Sequence, residues 1–437
     1  MNPLDRLRPA DRMLDASVPV RDIADMTEPA YGARMSARMR LVCIALVVLA
    51  CVPVWSGGLA LTCATQFMVM VVFAQSFEVL LGEAGLLSFG HAAYFGLGAF
   101  AAALVLNGTG EQGWALPTPL LPLVGAFAGA AGGATLGWFA TRRGGIAFAM
   151  ITLGTGELLA TGASAWPVLF GGEGGIATDR TYGWSPVDLG PTRHVYVLIA
   201  LWAAASLVAM RAFARTPLGL AANAVREQPM RAAFVGFDVR RVRYRTLMVS
   251  AGFAGLAGSL MTLASEHVSA DSFGLAQSGA VLVAVVLGGA AGWGGPVLGT
   301  ALYVGCSVAL ATVTRAWPFY LGLMFIGVVS LAPRGLIGLP KTMNATISAT
   351  MRARGSVRQY AGALAIAVAG VLAIEMLYRL TIVTDSSTTL VWFGLPIDAT
   401  ATSTWLCVAF VMVAGAALVV VRPNRDRRRG ADVRAES

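Results

Sequence analysis

Three carboxylates, a histidine and a serine stand in stretches of this chain apolar enough to lie in a bilayer. They are Glu78 in SFEVLLG, Glu83 in LLGEAGLL, Glu157 in ITLGTGELL, and Ser88 and His91 in GLLSFGHAAYFGLGAF. A charge at membrane depth is costly, so such groups face protein or a water-filled path, or become neutral. Carboxylates there suit proton coupling, a cationic or polar group on a ligand, or an arginine of another subunit. Ser88 and His91 supply hydrogen bonds, His91 either to a neighbouring helix or to a solute. Catalytic chemistry finds little support. The three histidines, His91, His194 and His267, are far apart and form no HExxH. The single lysine, Lys341 in GLPKT, lacks the glycine spacing of a phosphate-binding loop. Cys43, Cys51, Cys63, Cys306 and Cys407 lie in apolar runs without a CxxC, so neither metal nor disulfide is expected.

The elements that must carry these residues follow from composition. Of 437 residues 57% are hydrophobic and only 13% charged, with a mean hydropathy of +0.70. A soluble protein carries roughly twice that charge fraction. Long continuous apolar blocks, not alternating ones, predict an all-α polytopic membrane protein. Twelve spans are expected, near 41–56, 58–81, 86–106, 118–141, 145–169, 195–213, 245–265, 276–291, 296–314, 317–333, 358–380 and 403–421. The net charge of +9 sits in arginine clusters between blocks. This reads as cytoplasmic loop charge and not as a nucleic-acid surface. Alternating the spans from a cytoplasmic N-terminus puts Arg34–Arg40, Arg142–Arg143, Arg215–Arg245, Arg334–Lys341 and Arg422–Arg429 inside, and both termini with them. Residues 1–39 read as a cytoplasmic tail, 40–340 as a core of ten spans, 341–357 as a basic linker, 358–421 as a two-span appendage and 422–437 as a basic tail. On the first appended span, Glu375 and Arg379 are four apart and suit mutual pairing.

Three segments interrupt the apolar pattern. In GLLSFGHAAYFGLGAF, Gly90, Gly96 and Gly98 remove side-chain bulk and let backbones approach, while Gly82 and Gly85 can break the preceding helix. The result is a broken, closely packed element beside a pathway. The second segment is TPLGLAANAVREQPMRAAFVGFDVRRVRYR, Thr216 to Arg245. It predicts short helices split by Pro229 in a basic loop, suited to anionic lipid or to a partner protein. The third, GGAAGWGGPVLG from Gly288 to Gly299, predicts a tight re-entry or a compact turn.

With GGEGGI and LMFIGVVSLAPRGLIGL these segments resemble, in order, the inner-membrane permeases of branched-chain amino acid ABC importers. The resemblance covers roughly residues 40 to 340. It implies that Arg226, Glu227, Ala232 and Gly236 belong to a cytoplasmic coupling loop docking on ATP-hydrolysing subunits. Gly90 and His91 match the family's Gly-His-Ala element, and Glu157 a membrane glutamate. Gly171, Gly172 and Gly175 match an outside glycine loop. Gly295, Pro296 and Gly299 match a second glycine turn, and Pro333, Arg334 and Gly335 the closing motif. The translocation pathway is thus expected near Ser88, Gly90, His91, Glu78, Glu83, Glu157, Gly295 and Pro296. Implied partners are ABC ATPase subunits, a homologous permease forming a heterodimer, a periplasmic solute-binding protein and membrane lipid. No cofactor, no nucleic acid and no ATP binding by this chain are implied, and the location is the bacterial inner membrane.

The chain departs from that pattern at Glu78, where asparagine is expected, at Glu83, where an aromatic or amide is common, and at Glu173 and Gly174. These departures leave the substrate open among branched-chain amino acids, urea or short amides, and aromatic acids. A proton-coupled secondary transporter is the alternative of another class. The two appended spans are outside the family pattern.

Overall fold

The computed structural model describes residues 58–112, 116–181, 188–289, 292–312, 314–331, 335–338, 357–382, 389–392, 395–398 and 402–420, all within the unit Gly58–Ser437. The expected span at 41–56, the linker before residue 357, the basic tail, Pro333 and Arg334 lie outside the described residues. Helix α1, Gly58–Glu78, continues through a π-helical turn, Val79–Glu83. Then follow α2 (Ala92–Gln112), α3 (Leu121–Ala140), α4 (Ile146–Ala165) and α5 (Thr192–Phe213). Two short helices, α6 (Pro217–Glu227) and α7 (Pro229–Phe234), lead into the long α8 (Val239–Ser265). Beyond them lie α9 (Leu275–Gly288), α10 (Gly294–Val304), α11 (Trp317–Leu331), α12 (Val357–Ile382) and α13 (Thr402–Val420).

Among the described residues seven helices are long and apolar enough to cross a membrane, with shorter apolar helices at Leu275–Gly288, Trp317–Ser330, Val368–Tyr378 and Trp405–Ala414. Two expected spans change on contact with the structure. The span placed at 86–106 starts at Ala92, because Gly85 takes a positive φ of 66° and the backbone to His91 leaves the helix. The span placed at 276–291 is a 14-residue helix. At about 1.5 Å per residue it reaches roughly 21 Å, short of a bilayer core of about 30 Å.

Backbone contact holds α2, α3 and α8 together. A Cβ at Gly98 would land on the Gly255 carbonyl oxygen, and one at Gly258 on the Phe95 carbonyl. Gly125, Gly129 and Gly133 form an every-fourth-residue stripe on α3. Cβ atoms there would meet Ser259 and the Gly255 carbonyl, the Ala251 carbonyl, and the Ala251 side chain respectively. Lipid tails are as apolar as leucine, so helices in a bilayer associate through such close packing rather than through the hydrophobic effect. The Thr262 hydroxyl adds a cross-helix bond to the Ala99 carbonyl, 3.1 Å. Helix α1 is buried on nearly all sides from Met68 to Leu80, as a helix apolar all round requires. The Ser250 hydroxyl donates to its Ser76 carbonyl, 2.6 Å.

One end of the bundle is closed by the glycine loop after α4. Gly171, Gly172 and Gly175 all have positive φ. This lets β1 (Ile176–Ala177) pair antiparallel with β2 (His267–Val268). Phe100 and Phe273 stack at 5.2 Å, with Phe170 edge-on to both. Asn107 Nδ2 donates to the Ala177 carbonyl, 3.1 Å, and Arg180 pairs with Glu266 at 3.5 Å.

Helices α12 and α13 pack on each other through Ala369, Met376 and Val408. Between them in sequence is a β-hairpin, β3 (Thr389–Trp392) with β4 (Leu395–Asp398), which the apolar pattern gave no sign of. The Thr314 hydroxyl donates to Glu375 Oε2, 2.6 Å, linking α12 to the residues before α11. The side chain of Arg379, the expected partner of Glu375, lies outside the described residues.

Candidate functional site

The loop after α5 is built by local capping. Thr216 caps α6, its hydroxyl accepting from the Gly219 N–H at 3.3 Å, with Pro217 in the first turn where no donor is needed. Gln228 leaves helical geometry ahead of Pro229. Gly236, φ +102°, ends the next turn: its N–H donates to the Ala233 carbonyl and that of Phe237 to the Ala232 carbonyl, both at 3.0 Å. Only a residue without a Cβ adopts that conformation at low cost. Asp238 caps α8, accepting from the Arg241 N–H at 3.0 Å.

The two short helices have opposite faces. Ala222, Val225 and Ala232 are buried. Met230, Phe234 and Val235 are 72%, 85% and 78% exposed, and Glu227 and Arg231 are exposed beside them. The four residues expected to form the docking face therefore divide. Glu227 faces outward, Ala232 is packed beneath, Gly236 makes the turn, and Arg226, itself exposed, reaches back to the Gly82 carbonyl. The apolar residues carry the outward face. Their trace in the sequence is MRAAFVGF, an apolar run inside a basic loop, which cannot be oriented without knowing which side packs.

Arg226 donates from Nη1 to the Gly82 carbonyl, and Asn223 Nδ2 donates to Glu83 Oε2. Gly85 lies directly under Arg226: a Cβ there would sit 2.7 Å from Arg226 Cγ. Glu78 is buried. Its carboxylate folds back over Gly82, and Oε2 has no hydrogen-bond partner among the described residues. Glu78 and Glu83 thus sit at opposite ends of the π-helical turn, Glu83 held by α6 and Glu78 enclosed by protein. Asn223, which sequence reasoning passed over, is the partner that Glu83 needed.

Gly90 and His91 occupy a second cluster. A Cβ at Gly90 would fall on the Thr152 carbonyl of α4, so backbone touches backbone there. His91 is fully buried. Its ring stacks on Phe73 at 5.6 Å and meets Phe77 and Tyr94 edge-on, and its Nε2 is 3.1 Å from the Ser76 hydroxyl. Nδ1 of His91 and the buried hydroxyl of Ser88 have no partner among the described residues. The Ala92 N–H donates to Ser278 Oγ of α9, 3.0 Å.

Glu157, five residues beyond Thr152, stands on the exposed face of α4 with Met150, Gly154, Leu158 and Thr161. Its Oε1 accepts from the Leu275 N–H, 3.0 Å, at the start of α9. The carboxylate complements the positive end of that short helix. The broken segment, α4 and the first turn of α9 therefore meet at one place.

Gly295 and Pro296 belong to a third cluster, the tight pairing of α9 with α10. A Cβ at Gly295 would collide with the Gly289 carbonyl, and one at Gly299 with the Ala284 carbonyl. Gly335, φ +69°, packs against Gly289. Gln75 Nε2 donates to the Trp293 carbonyl at 3.4 Å and joins this turn to α1. An apolar groove of about 300 Å³ between α3 and α8 is lined by Ala130, Met248, Val249, Gly252 and Phe253 and shares no residue with the three clusters. Among the described residues no group of three or more His, Cys, Asp or Glu could hold a metal ion.

Comparison with known proteins places this architecture. Residues 59–333 match the family described as branched-chain amino acid transport system, permease component. The chain is 28% identical over 330 residues to the high-affinity branched-chain amino acid transport system permease protein LivM of Escherichia coli K12, covering 70% of this chain and 76% of that protein. It is 29% identical over 331 residues to LivM of Salmonella typhimurium, with the same coverage. No solved structure matches the chain significantly. The match ends at residue 333, so α12 and α13 lie beyond it. A multi-pass helical core with a capped basic loop and a family match over most of that core lead to one statement: the chain belongs to the permease components of branched-chain amino acid ABC importers.

Proposed function

We propose that this chain forms one side of the route by which leucine, isoleucine and valine cross the membrane. A second permease chain supplies the other side, a periplasmic binding protein delivers the solute, and separate ATPase subunits supply the energy. The observation that carries this reading is the outward face of α6 and α7. Met230, Phe234 and Val235 are exposed together, flanked by arginines, in a loop whose basic charge favours the cytoplasmic side. An apolar patch rimmed by charge on short amphipathic helices fits a groove on a partner protein. Ile146, Met150 and Leu158 are exposed along α4, and Glu157 stands among them. A carboxylate facing acyl chains costs about 2.5–3.5 kcal/mol or more, so this face is assigned to the aqueous route between two permease chains. There the part of Glu157 not bound to Leu275 meets the ammonium group of the amino acid. The arginines beside each terminus, Arg34–Arg40 and Arg422–Arg429, favour a cytoplasmic side for both.

The test is Phe234→Asp. The variant is expected to reach the membrane at the wild-type level, to lose co-purification with the ATPase subunits, and to lose ATP-dependent uptake of labelled leucine by about a hundredfold, as for a central interface anchor. Full uptake by this variant would remove the docking face. Uptake of labelled urea or benzoate instead of leucine would move the substrate and leave the architecture in place.

A further inference from the structure

We infer that the Asn223–Glu83 and Arg226–Gly82 contacts form the joint through which movement of the α6–α7 loop reaches the broken segment 84–91. The inference rests on the docking role proposed for that loop. Three observations carry it. First, the contacts are made from one face of α6, by residues three apart, onto two adjacent residues of α1's end. Residues three apart on a helix lie on one side, so a shift of α6 pulls Gly82 and Glu83 together. Second, the receiving element is a π-helical turn, Val79–Glu83. Such a turn holds one residue more than an α-helical turn and is frequent at functional sites. It can be re-wound with little displacement of the buried α1 before it. Third, the chain leaves this turn through Gly85 at φ +66°, with the Arg226 side chain filling the space a Cβ there would need. It then reaches Ser88 and His91, whose Oγ and Nδ1 have no partner among the described residues and mark polar capacity for another arrangement.

The chemistry of the joint is asymmetric. Asn223 uses its amide as a donor to a carboxylate, and Arg226 uses its guanidinium as a donor to a backbone carbonyl. The first contact can be inverted by mutation without changing shape. Asn223→Asp sets one carboxylate against another and breaks it. Glu83→Gln alone keeps an acceptor opposite the Asn223 amide. Glu83→Gln combined with Asn223→Asp restores a donor opposite an acceptor, with the direction of the bond reversed.

The experiment uses the full chain in two assays. In the assembled importer, Asn223→Asp is expected to retain ATPase association and to lose about tenfold in leucine uptake, the loss typical of one coupling contact. Combining Asn223→Asp with Glu83→Gln is expected to recover most of the uptake that Asn223→Asp alone loses. In the permease alone, with Ser88→Cys introduced and the native cysteines replaced, Asn223→Asp is expected to raise maleimide labelling at position 88. The double variant is expected to return labelling to the starting level. Wild-type uptake and labelling in Asn223→Asp would overturn the joint, and so would a double variant as impaired as the single one. Because labelling needs no ATPase, it fails only if the joint is wrong. Loss of association in Phe234→Asp tests the docking face separately.

Discussion

The α2–α3–α8 bundle and the α1–α6 contact hold the same chain together by different means. In the bundle the backbones themselves meet, at Gly98 with Gly255, Gly129 with Ala251 and Gly258 with Phe95. No side chain there can change rotamer to admit a shift. At the α1–α6 contact the chain is held by two hydrogen bonds from long or polar side chains onto a π turn, with Gly85, a glycine of positive φ, just beyond it. Hydrogen bonds can be exchanged for others at small net cost, whereas packed backbones part only with loss of dispersion contact along the helix. The difference separates a frame from a moving part. Both are made of glycine-rich sequence, and only the partners of each glycine distinguish them.

The largest expected effect comes from breaking the frame. Gly98→Leu puts a branched side chain onto the Gly255 carbonyl, where neither backbone can give way. Overpacking of this kind costs about 1–3 kcal/mol or more. The variant is expected to disappear from the membrane fraction on immunoblot, and normal accumulation would show that the bundle is looser than described. Gly85→Ala sharpens the contrast from the other side. It forces a Cβ into a positive-φ position, at about 1–2 kcal/mol, and against Arg226. The protein is expected to accumulate normally while leucine uptake falls about tenfold. Equal loss of protein and uptake would make the two regions alike.

Glu157→Gln tests the face between them. The amide still accepts from the Leu275 N–H, so the fold is retained, but the charge is gone. Half-saturating leucine concentration is expected to rise about tenfold, the weight of one charge-assisted contact, with an unchanged maximum rate. A changed rate with unchanged affinity would move Glu157 from solute binding to structure. The smallest effect is expected at Glu375→Gln. It keeps an acceptor for the Thr314 hydroxyl and should alter thermal stability in detergent by less than about 1 kcal/mol. A large loss would tie the appended helices into the working core.

Much of this was legible before any coordinates. Continuous apolar blocks specify helices in a bilayer because no other element there satisfies its own backbone. Pro229 specifies where the basic loop divides into two short helices. Hydropathy could not tell a 14-residue helix from a full span at 276–291, since the glycines after Gly288 extend the apolar run without extending the helix. It could not separate Arg226 from Glu227 either. Neighbours on a helix point about 100° apart, and only the packing of Ala222 and Val225 fixes which one faces α1. The β3–β4 hairpin was hidden because a four-residue strand is too short for its alternation to stand out in an apolar chain.

The most direct measurement is leucine uptake into vesicles containing this permease, its partner permease and binding protein, with and without the ATPase subunits. The account predicts accumulation that requires both the ATPase and ATP, and that is abolished by Phe234→Asp with the protein still present. Accumulation driven by a proton gradient in vesicles lacking the ATPase would contradict it, and would turn Glu78, Glu83 and Glu157 into candidate proton carriers instead.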